Sequence, residues 1–317
     1  MIIDLLLSYA FHAKRNLAEV RDRLPVGSRL MVDSGAYTAW TKGHQVTVDE
    51  YAEYLQRNEG GWDYAISLDV IGDWKASARQ TDALLAMNIP VMPVFHYGSP
   101  LSEFDRLAAL SPYVCAGGMK PLAYQQKAMT GYLKMLVDRG KDRGAVIHAL
   151  GVGGVNTIVK SGVYSCDSST VSMAPLAGGI VVFDGKKVVM LRANDKEGLK
   201  RAAPRLQKYG FPTAVIMKEG KWTANERQAM FTASLLSMCE MWDSIRARNP
   251  VLPDGPRYYN SLTTSFMADA VAGPRWHNVV GVATNHLDGT LKRDLGPRYY
   301  NSLGRSPDVD YAMEASP

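Results

Sequence analysis

Short apolar runs alternate with amphipathic stretches through the first half of the chain. Continuous apolar strands that are separated by helices predict a parallel sheet covered on both faces. The predicted strands are Leu5–Tyr9, Leu30–Asp33, Tyr64–Asp69, Val91–His96, Tyr113–Ala116, Ala145–Leu150 and Val163–Cys166. The predicted helices are 13–24, 48–58, 74–87, 101–110, 122–139 and 154–161.

The number of these units predicts an α/β fold of the (β/α)₈ TIM-barrel type. Seven strands with their helices fit into about 170 residues, which is the density of a barrel. An open doubly wound sheet is the alternative. Such a sheet usually has fewer units, and no G-x-G-x-x-G sequence follows the first strand here.

The pattern changes after the seventh strand. Residues 180–191 predict a hairpin with an Asp-Gly turn, and 195–208 predict a basic helix. We expect 212–217 to supply the eighth strand, with the hairpin as the alternative, and 222–247 to form a long closing helix. The predicted organisation is a barrel domain at 1–248, with an insertion at about 175–210, and a C-terminal extension at 249–317.

The extension is rich in Pro, Gly, Asn and Ser and contains a repeat. The octapeptide GPRYYNSL occurs at 255–262 and again at 296–303, and the copies start 41 residues apart. Two copies are too few for a solenoid. Each copy carries an Arg and two Tyr, which suit stacking on bases or contact with phosphates. The alternative is that both copies dock the tail onto the barrel.

Composition narrows the class of protein. No apolar run approaches the roughly 18 residues of a membrane span, and the apolar N-terminus lacks the basic start of a signal peptide. The three cysteines, Cys115, Cys166 and Cys239, are far apart, which indicates a reducing compartment and argues against a zinc motif. We therefore expect a cytoplasmic protein with no metal, no cofactor and no membrane partner.

Positive charge is concentrated on either side of residue 167. The net charge is +5, and residues 184–222 hold ten Lys or Arg against four acids. A surface of this kind suits the phosphates of a nucleic acid, although a solvated helix face explains the charge equally well. The candidate nucleic-acid-binding residues are Lys186, Lys187, Lys200 and Arg201.

Polar residues collect where the predicted strands end, and in a barrel those ends share the face that carries the active site. They are Asp33, Asp69, His96 and Asp167, accompanied by the glycines of 117–118 and 151–154. Asp167 lies among small residues, which suits an exposed nucleophile, although alone it would be read as a turn former. Together these residues predict a catalytic site.

The chemistry that these residues suit is cleavage of a glycosidic bond. One carboxylate attacks the anomeric carbon, and a second exchanges a proton with the leaving group. A third carboxylate can accept hydrogen bonds from a base edge, such as guanine N1–H and N2–H₂.

Several short motifs, in order over residues 3–175, resemble those of the tRNA-guanine transglycosylases. Asp33–Tyr37 (DSGAY) resembles their DSGG(Y/F) motif, and Leu68-Asp69 resembles their base-reading aspartate. Ala116–Met119 and Leu150–Gly153 look like their GGL-type and MGVG segments. The DSGA-x-x-AW run and the PVFH sequence at 93–96 are closer to the phage DpdA-type branch, which inserts 7-deazaguanine bases into DNA. If the protein is phage-encoded, as this resemblance implies, the expected compartment is the cytoplasm of the host cell.

This resemblance implies a role for each matching residue. Asp167 would be the nucleophile and Asp33 the general acid and base. Asp69 would read the guanine edge, with backbone groups of Gly117 and Gly118 beside it. The base would lie between Tyr37 and Leu150. His96 falls where the family has a base-contacting polar residue, often Gln.

The resemblance therefore implies exchange of guanine in DNA for a free 7-deazaguanine base such as preQ0. The chain departs from the tRNA enzymes because it lacks their C-x-C-x-x-C…H zinc motif, and this favours DNA as the substrate. The alternatives are a base-excising DNA glycosylase of the same fold, a tRNA-guanine transglycosylase and a non-catalytic nucleic-acid-binding barrel. The oligomeric state does not follow from the sequence.

Overall fold

A computed structural model describes residues 3–41, 43–211, 214–217, 222–248 and 257–262, and these residues form a TIM-like barrel of parallel strands surrounded by helices. All neighbouring strands in the barrel sheet are parallel. The strands are β1 (Asp4–Ser8), β2 (Leu30–Asp33), β3 (Tyr64–Ile66), β4 (Val91–Met92), β5 (Val94–His96), β6 (Tyr113–Gly117), β7 (Val146–Ala149) and β8 (Ser165–Ser168), with a later closing strand at Arg257–Leu262.

One interrupted strand joins the two edges of this sheet. Pro93 separates β4 from β5, and β4 pairs with β3 while β5 pairs with β6. On one side the amide of Ser67 donates to the Met92 carbonyl at 2.9 Å, and on the other the amide of Cys115 donates to the Pro93 carbonyl at 2.8 Å. Residues 91–96 thus act as a single strand, and the barrel has the eight-stranded plan that the sequence predicts.

The prediction that 212–217 forms the eighth strand is wrong, because Ala214–Met217 is a short helix. The closing strand is Arg257–Leu262, which pairs with β1 on one side and β8 on the other. This strand is most of the first GPRYYNSL copy, so the barrel includes residues that we assigned to the extension. The hairpin, our alternative for the eighth strand, forms a separate sheet. The second copy, at 296–303, lies outside the described residues.

The predicted helices from 48–58 onward are confirmed with small shifts at their ends, whereas the first predicted helix, 13–24, forms only over Leu17–Arg21. In chain order they are α1 (Tyr9–His12), α2 (Leu17–Arg21), α3 (Ala36–Thr41), α4 (Val48–Arg57), α5 (Trp74–Ala86), α6 (Leu101–Leu110), α7 (Gln126–Lys141), α8 (Val155–Ser161), α9 (Thr170–Leu176), α10 (Lys196–Lys208), α11 (Ala214–Met217) and α12 (Ala224–Arg248). Thr47 and Glu50 form a capping box at the start of α4, as their spacing requires.

The predicted hairpin is confirmed and packs against the long helix α12. Its strands are β9 (Gly179–Phe183) and β10 (Val188–Arg192), and the closing barrel strand is therefore numbered β11. The amides of Val181 and Phe183 donate to the hydroxyls of Ser234 and Ser237 on α12, at 3.0 and 2.7 Å. These two bonds satisfy amides of β9 that the hairpin leaves unpaired, so α12 covers this edge of the hairpin.

Apolar side chains from β1 to β6 and from β11 fill most of the inside of the barrel. Because side chains two residues apart on a strand share a face, the next inward residue on each strand lies one layer above. The residues of the filled layer are Leu6, Met31, Ile66, Met92, Val94, Tyr113, Cys115 and Tyr259. This layer closes the barrel from below, so polar side chains two positions later along the strands face the open end.

The first prediction distinguishes the two copies of the repeat. Tyr259→Pro removes a hydrogen bond from a central strand and a buried ring from the filled layer, so we expect loss of cooperative folding. Tyr300→Pro makes the same change at the matching position of the second copy and should leave the melting temperature unchanged. Thermal melts of both variants test this, and the opposite ranking would mean that the second copy closes the barrel.

Candidate active site

A cleft of about 1150 Å³ lies at the carboxyl ends of the barrel strands, which is the face that carries the active site in TIM barrels. Seven of the eight residues predicted to catalyse or bind the base line it. These are Asp33, Tyr37, Asp69, His96, Gly118, Leu150 and Asp167. The structure thus brings together residues that are up to 134 positions apart in the sequence.

The pleat of the strands explains why polar side chains meet here. Ser8, Asp33 and His96 each lie two residues after an apolar side chain of the filled layer. They therefore point into the same space one level higher, where they line the cleft. Asp69 reaches the cleft differently, because β3 ends at Ile66 and Asp69 lies in the following loop rather than at the strand end.

Asp33 is held in a crowded environment that favours its protonated form. Its Oδ2 accepts a hydrogen bond from the amide of Gly35 at 2.9 Å, and Ser8 is its register partner on β1. Burial raises the pKa of the Asp33 carboxyl to about 7, and the negative charges of Asp69 and Asp167 contribute to the same shift. A carboxyl with this pKa can both give and take a proton near neutral pH.

The glycine of the DSGAY motif is required by this packing. Gly35 has a φ of +70°, and a Cβ at this position would lie 2.4 Å from the Ser8 hydroxyl and 2.5 Å from the Ala10 side chain. Any larger residue would be strained in the backbone and would also displace β1. The motif therefore fixes the turn that carries the amide donor to Asp33.

Asp167 lies within β8, which extends beyond the predicted strand end at Cys166, and its side chain is almost buried. Its Oδ1 accepts a hydrogen bond from the amide of Gly151 at 2.8 Å. Gly151 has a φ of +69°, which glycine adopts without strain. The same Oδ1 lies 3.4 Å from Nε2 of His148, a fully buried side chain on β7. The hydrogen bond from the Gly151 amide holds this oxygen in place.

Asp69 and His96 form a pair in which burial disfavours the charged form of each partner. Oδ2 of Asp69 and Nε2 of His96 are 3.7 Å apart, and the Ser77 hydroxyl lies 3.4 Å from the same nitrogen. Burial raises the pKa of Asp69 and lowers that of His96, and the attraction between them offsets only part of each shift. His96 is therefore a neutral imidazole near pH 7, able to accept or donate one hydrogen bond.

The two glycines after the fifth predicted strand differ in position. Gly118 lines the cleft with a φ of +67°, whereas Gly117 is buried and does not line it. The carbonyl of Gly117 accepts a hydrogen bond from the Tyr97 amide at 2.9 Å, and a Cβ there would lie 2.7 Å from Val94. Gly117 thus supports the cleft wall rather than facing a ligand.

The rim of the cleft carries exposed aromatic rings with lysines over them. Tyr37 is 49% exposed and lies beside Trp40, which is 56% exposed, with ring centroids 6.1 Å apart. Nζ of Lys120 lies 5.8 Å from the centre of the Tyr37 ring and 3.3 Å from its hydroxyl. Lys75 lies similarly over Trp74, which also lines the cleft. These rings offer stacking surfaces beside positive charge.

Sequence reasoning missed several residues in or beside the cleft whose signals were present. Ser8 ends its strand as Asp33 does, and the strand-end rule applied to β1 would have found it. Trp74, Tyr97 and Lys120 lie in the segments just after strands, where barrel loops build the site. His148 lies inside an apolar strand, where a single polar residue could have been noticed.

Neither a scan against protein-family models nor a search of the curated proteins finds a match to this chain. Family membership therefore stays an expectation from the motifs. Within the described ranges, no group of three or more His, Cys, Asp or Glu could hold a metal ion. No helix in the described part of the chain is long and apolar enough to cross a membrane.

The four basic residues predicted to bind nucleic acid lie outside the cleft wall. Lys186 and Lys187 are exposed at the hairpin turn, where their amides donate to the Asp184 carboxylate. Lys200 and Arg201 are exposed on α10, and Lys200 pairs with Glu197 at 2.9 Å. Their role in binding stays a prediction.

The second prediction follows from the raised pKa of Asp33. The folded protein holds this proton up to about pH 7, whereas an unfolded Asp releases it near pH 4, so this group stabilises the fold fully below pH 4 and loses that contribution as pH rises to 7. Three pKa units correspond to at most about 4 kcal/mol. We expect Asp33→Asn to raise the melting temperature at pH 8 and to change it little at pH 4.

Asp105 provides a control, because its pKa is shifted in the opposite direction to that of Asp33. Hydrogen bonds from Arg139 lower the pKa of Asp105, and Arg143 adds to this effect. Asp105→Asn should therefore lower the melting temperature at pH 8 and have less effect at low pH. If Asp33→Asn also lowers it at pH 8, the Asp33 site does not favour the proton and our description of the cleft is wrong.

Proposed function

We propose that this protein is a base-exchange transglycosylase that replaces guanine in DNA with a 7-deazaguanine such as preQ0. The observation that carries the proposal is the division between two carboxyls in one cleft. Asp33 has a pKa of about 7, while Oδ1 of Asp167 accepts from the Gly151 amide and lies near His148. Two carboxyls in environments that differ in this way suit an acid–base group and a nucleophile.

The first half of the reaction breaks the glycosidic bond. A target nucleotide leaves the base stack, because C1′ cannot be reached inside a duplex. A carboxylate oxygen of Asp167 attacks C1′ and forms a sugar ester as the bond to guanine N9 breaks. Asp33 gives its proton to the departing guanine, and a pKa near 7 makes that transfer efficient near neutral pH.

The second half reverses these steps with a different base. The incoming 7-deazaguanine loses its N9 proton to Asp33, and its nitrogen displaces Asp167 from C1′. Two displacements at the same carbon retain the configuration of the sugar. Water has to be kept from the ester between the two halves, because hydrolysis would leave an abasic site.

Recognition of the base falls to the groups beside these carboxyls. Asp69 can accept from N1–H and N2–H₂ of a guanine, and neutral His96 can donate to its O6. The backbone of Gly118 lies at the same wall. Both guanine and a 7-deazaguanine present this edge, so one site can hold the leaving and the incoming base.

The surroundings of the cleft support a nucleic acid as the polymer. Exposed rings at its rim suit stacking of unpaired bases, and Lys120 and Lys75 suit phosphates. The preference for DNA over tRNA rests on the spelling of the motifs and on the missing zinc motif in the sequence.

The third prediction concerns product and intermediate. Wild-type protein with DNA and labelled preQ0 should incorporate the label and release guanine, whereas a glycosylase would release guanine and leave abasic sites. A parallel reaction with tRNA tests the alternative substrate. Labelled product from tRNA alone would contradict our assignment of DNA.

Variants of the two carboxyls test the same scheme. Asp167→Asn cannot form the ester, so no covalent complex with DNA should appear on a denaturing gel. Asp33→Asn keeps the nucleophile and should slow complex formation by about 10²–10⁴-fold. A complex that persists in Asp167→Asn and vanishes in Asp33→Asn would mean that the two roles are reversed.

The fourth prediction concerns the basic surface. Reversing charge at Lys200 and Arg201 should weaken DNA binding and reduce the slope of log affinity against log salt by about 0.7–0.9 for each phosphate that the protein no longer neutralises. The matched control reverses the charges of Lys141 and Lys160, which are exposed in the last turns of α7 and α8, at the ends that face away from the cleft. This double variant should bind DNA like wild type. If both double variants bind like wild type, α10 presents only a solvated face.

A further inference from the structure

His148 is a buried polar residue that the proposed reaction does not use directly. Its side chain has no exposed surface, and it does not line the cleft. It lies on β7 as the register partner of Ser165 on β8, and so directly beneath Asp167. A buried imidazole needs partners for both ring nitrogens, because an unsatisfied polar atom in the core is costly.

The two nitrogens of His148 connect Asp167 to a buried hydroxyl chain. Nε2 lies 3.4 Å from Oδ1 of Asp167, and Nδ1 lies 2.6 Å from the Ser165 hydroxyl. The Ser165 hydroxyl also forms a hydrogen bond with the hydroxyl of Tyr113. The series of neighbouring polar side chains therefore runs from Tyr113 through Ser165 and His148 to Asp167.

The two possible directions of donation along these side chains place the proton of the His148 imidazole on different nitrogens, and one of them is favoured. If Tyr113 donates to Ser165 and Ser165 donates to Nδ1, the proton of a neutral His148 lies on Nε2 and points to Asp167. In the reverse order Nδ1 donates to Ser165, and the lone pair of Nε2 faces the carboxylate. That arrangement places two acceptors 3.4 Å apart and is repulsive. The hydroxyl chain thus directs the Nε2 proton of His148 towards Oδ1 of Asp167, 3.4 Å away.

We propose that His148 is a positioning residue that donates from Nε2 to Oδ1 of Asp167 and, together with the Gly151 amide, fixes the carboxylate for attack through Oδ2. This inference rests on the proposed function, because it assigns the support of its nucleophile. Two donors on one oxygen hold the rotation of the carboxylate. Fixed orientation matters because a misplacement of about 1 Å can cost 10²-fold in rate.

The closing strand of the barrel holds the imidazole in place. Tyr259 packs edge-on against His148 with ring centroids 5.8 Å apart, and Tyr113 packs against it at 6.3 Å. Tyr259 is also the register partner of Asp167. The first GPRYYNSL copy therefore contributes to the site from below the cleft, which is a role that neither stacking on bases nor docking of a tail would give it.

Three substitutions at His148 separate positioning from packing. His148→Gln places an amide nitrogen near the position of Nε2 and keeps the donor to Asp167. His148→Asn places its amide near Nδ1, so it keeps the hydrogen bond with Ser165 but not the donor to Asp167. His148→Phe keeps a ring of similar shape and removes both hydrogen bonds. Each full-length variant is measured for DNA affinity, for the single-turnover rate of covalent complex formation and for melting temperature.

We expect the rate to follow the donor rather than the ring. His148→Asn and His148→Phe should form the complex about 10²-fold more slowly, while their DNA affinity stays within about twofold of wild type. His148→Gln should retain the rate to within about tenfold. His12→Gln, at a buried histidine that does not line the cleft, controls for the general cost of changing such a residue and should react like wild type.

Two results would overturn the inference. Rates for His148→Asn and His148→Phe equal to wild type would show that Asp167 needs no donor from this residue. Rates that fall equally in all three variants, in step with their melting temperatures, would show that His148 only packs. If wild type itself forms no covalent complex and exchanges no base, the proposed function fails, and His148 is left without a nucleophile to support.

Discussion

The parallel register of the barrel strands is the constraint on which the site depends. All these strands run in the same direction, so their carboxyl ends meet at one end of the barrel, where polar side chains lie above an apolar layer. The filled layer gives the carboxyls a dry floor, and burial is then the largest influence on the pKa of Asp33. The electrostatics of the site follow from the packing below it.

This arrangement costs stability. Three carboxyls in one cleft repel one another, and the raised pKa of Asp33 measures part of that cost. The surrounding structure offsets it with directed N–H groups, because the Gly35 and Gly151 amides each donate to a carboxyl. Both amides belong to glycines with positive φ, so the motifs of the sequence encode donor positions as well as turns.

The sequence predicts the barrel well because buried strands leave a strong pattern. Apolar runs located seven strands, and the polar residues at their ends located the cleft. The eighth strand was assigned to the wrong segment because the local sequence pattern favours 212–217, whereas the chain uses 257–262. Residues 212–217 carry apolar and β-branched residues, whereas RYYNSL at 257–262 is polar and lies in a Pro- and Gly-rich region. Pairing with β1 and β8 decides the matter, and no local signal reports that pairing.

Individual roles were harder to predict than positions. Nothing in the sequence distinguishes Gly117 from Gly118, yet of the two only Gly118 faces the cleft. Gly117 is the last residue of β6 and lies within the cleft wall. His148 was overlooked because an isolated histidine in an apolar strand reads as core. Its proximity to Asp167 arises from a register between two strands that only the folded chain defines.

Mapping the covalent intermediate tests the central claim most directly. Wild-type protein is trapped with DNA, digested with nuclease and trypsin, and the sugar-bearing peptide is identified by mass spectrometry. We predict the added sugar on the peptide at 161–186, at Asp167. Sugar on the peptide at 30–42, which contains Asp33, would reverse the assignment, and the absence of any sugar-bearing peptide during turnover would contradict a covalent mechanism.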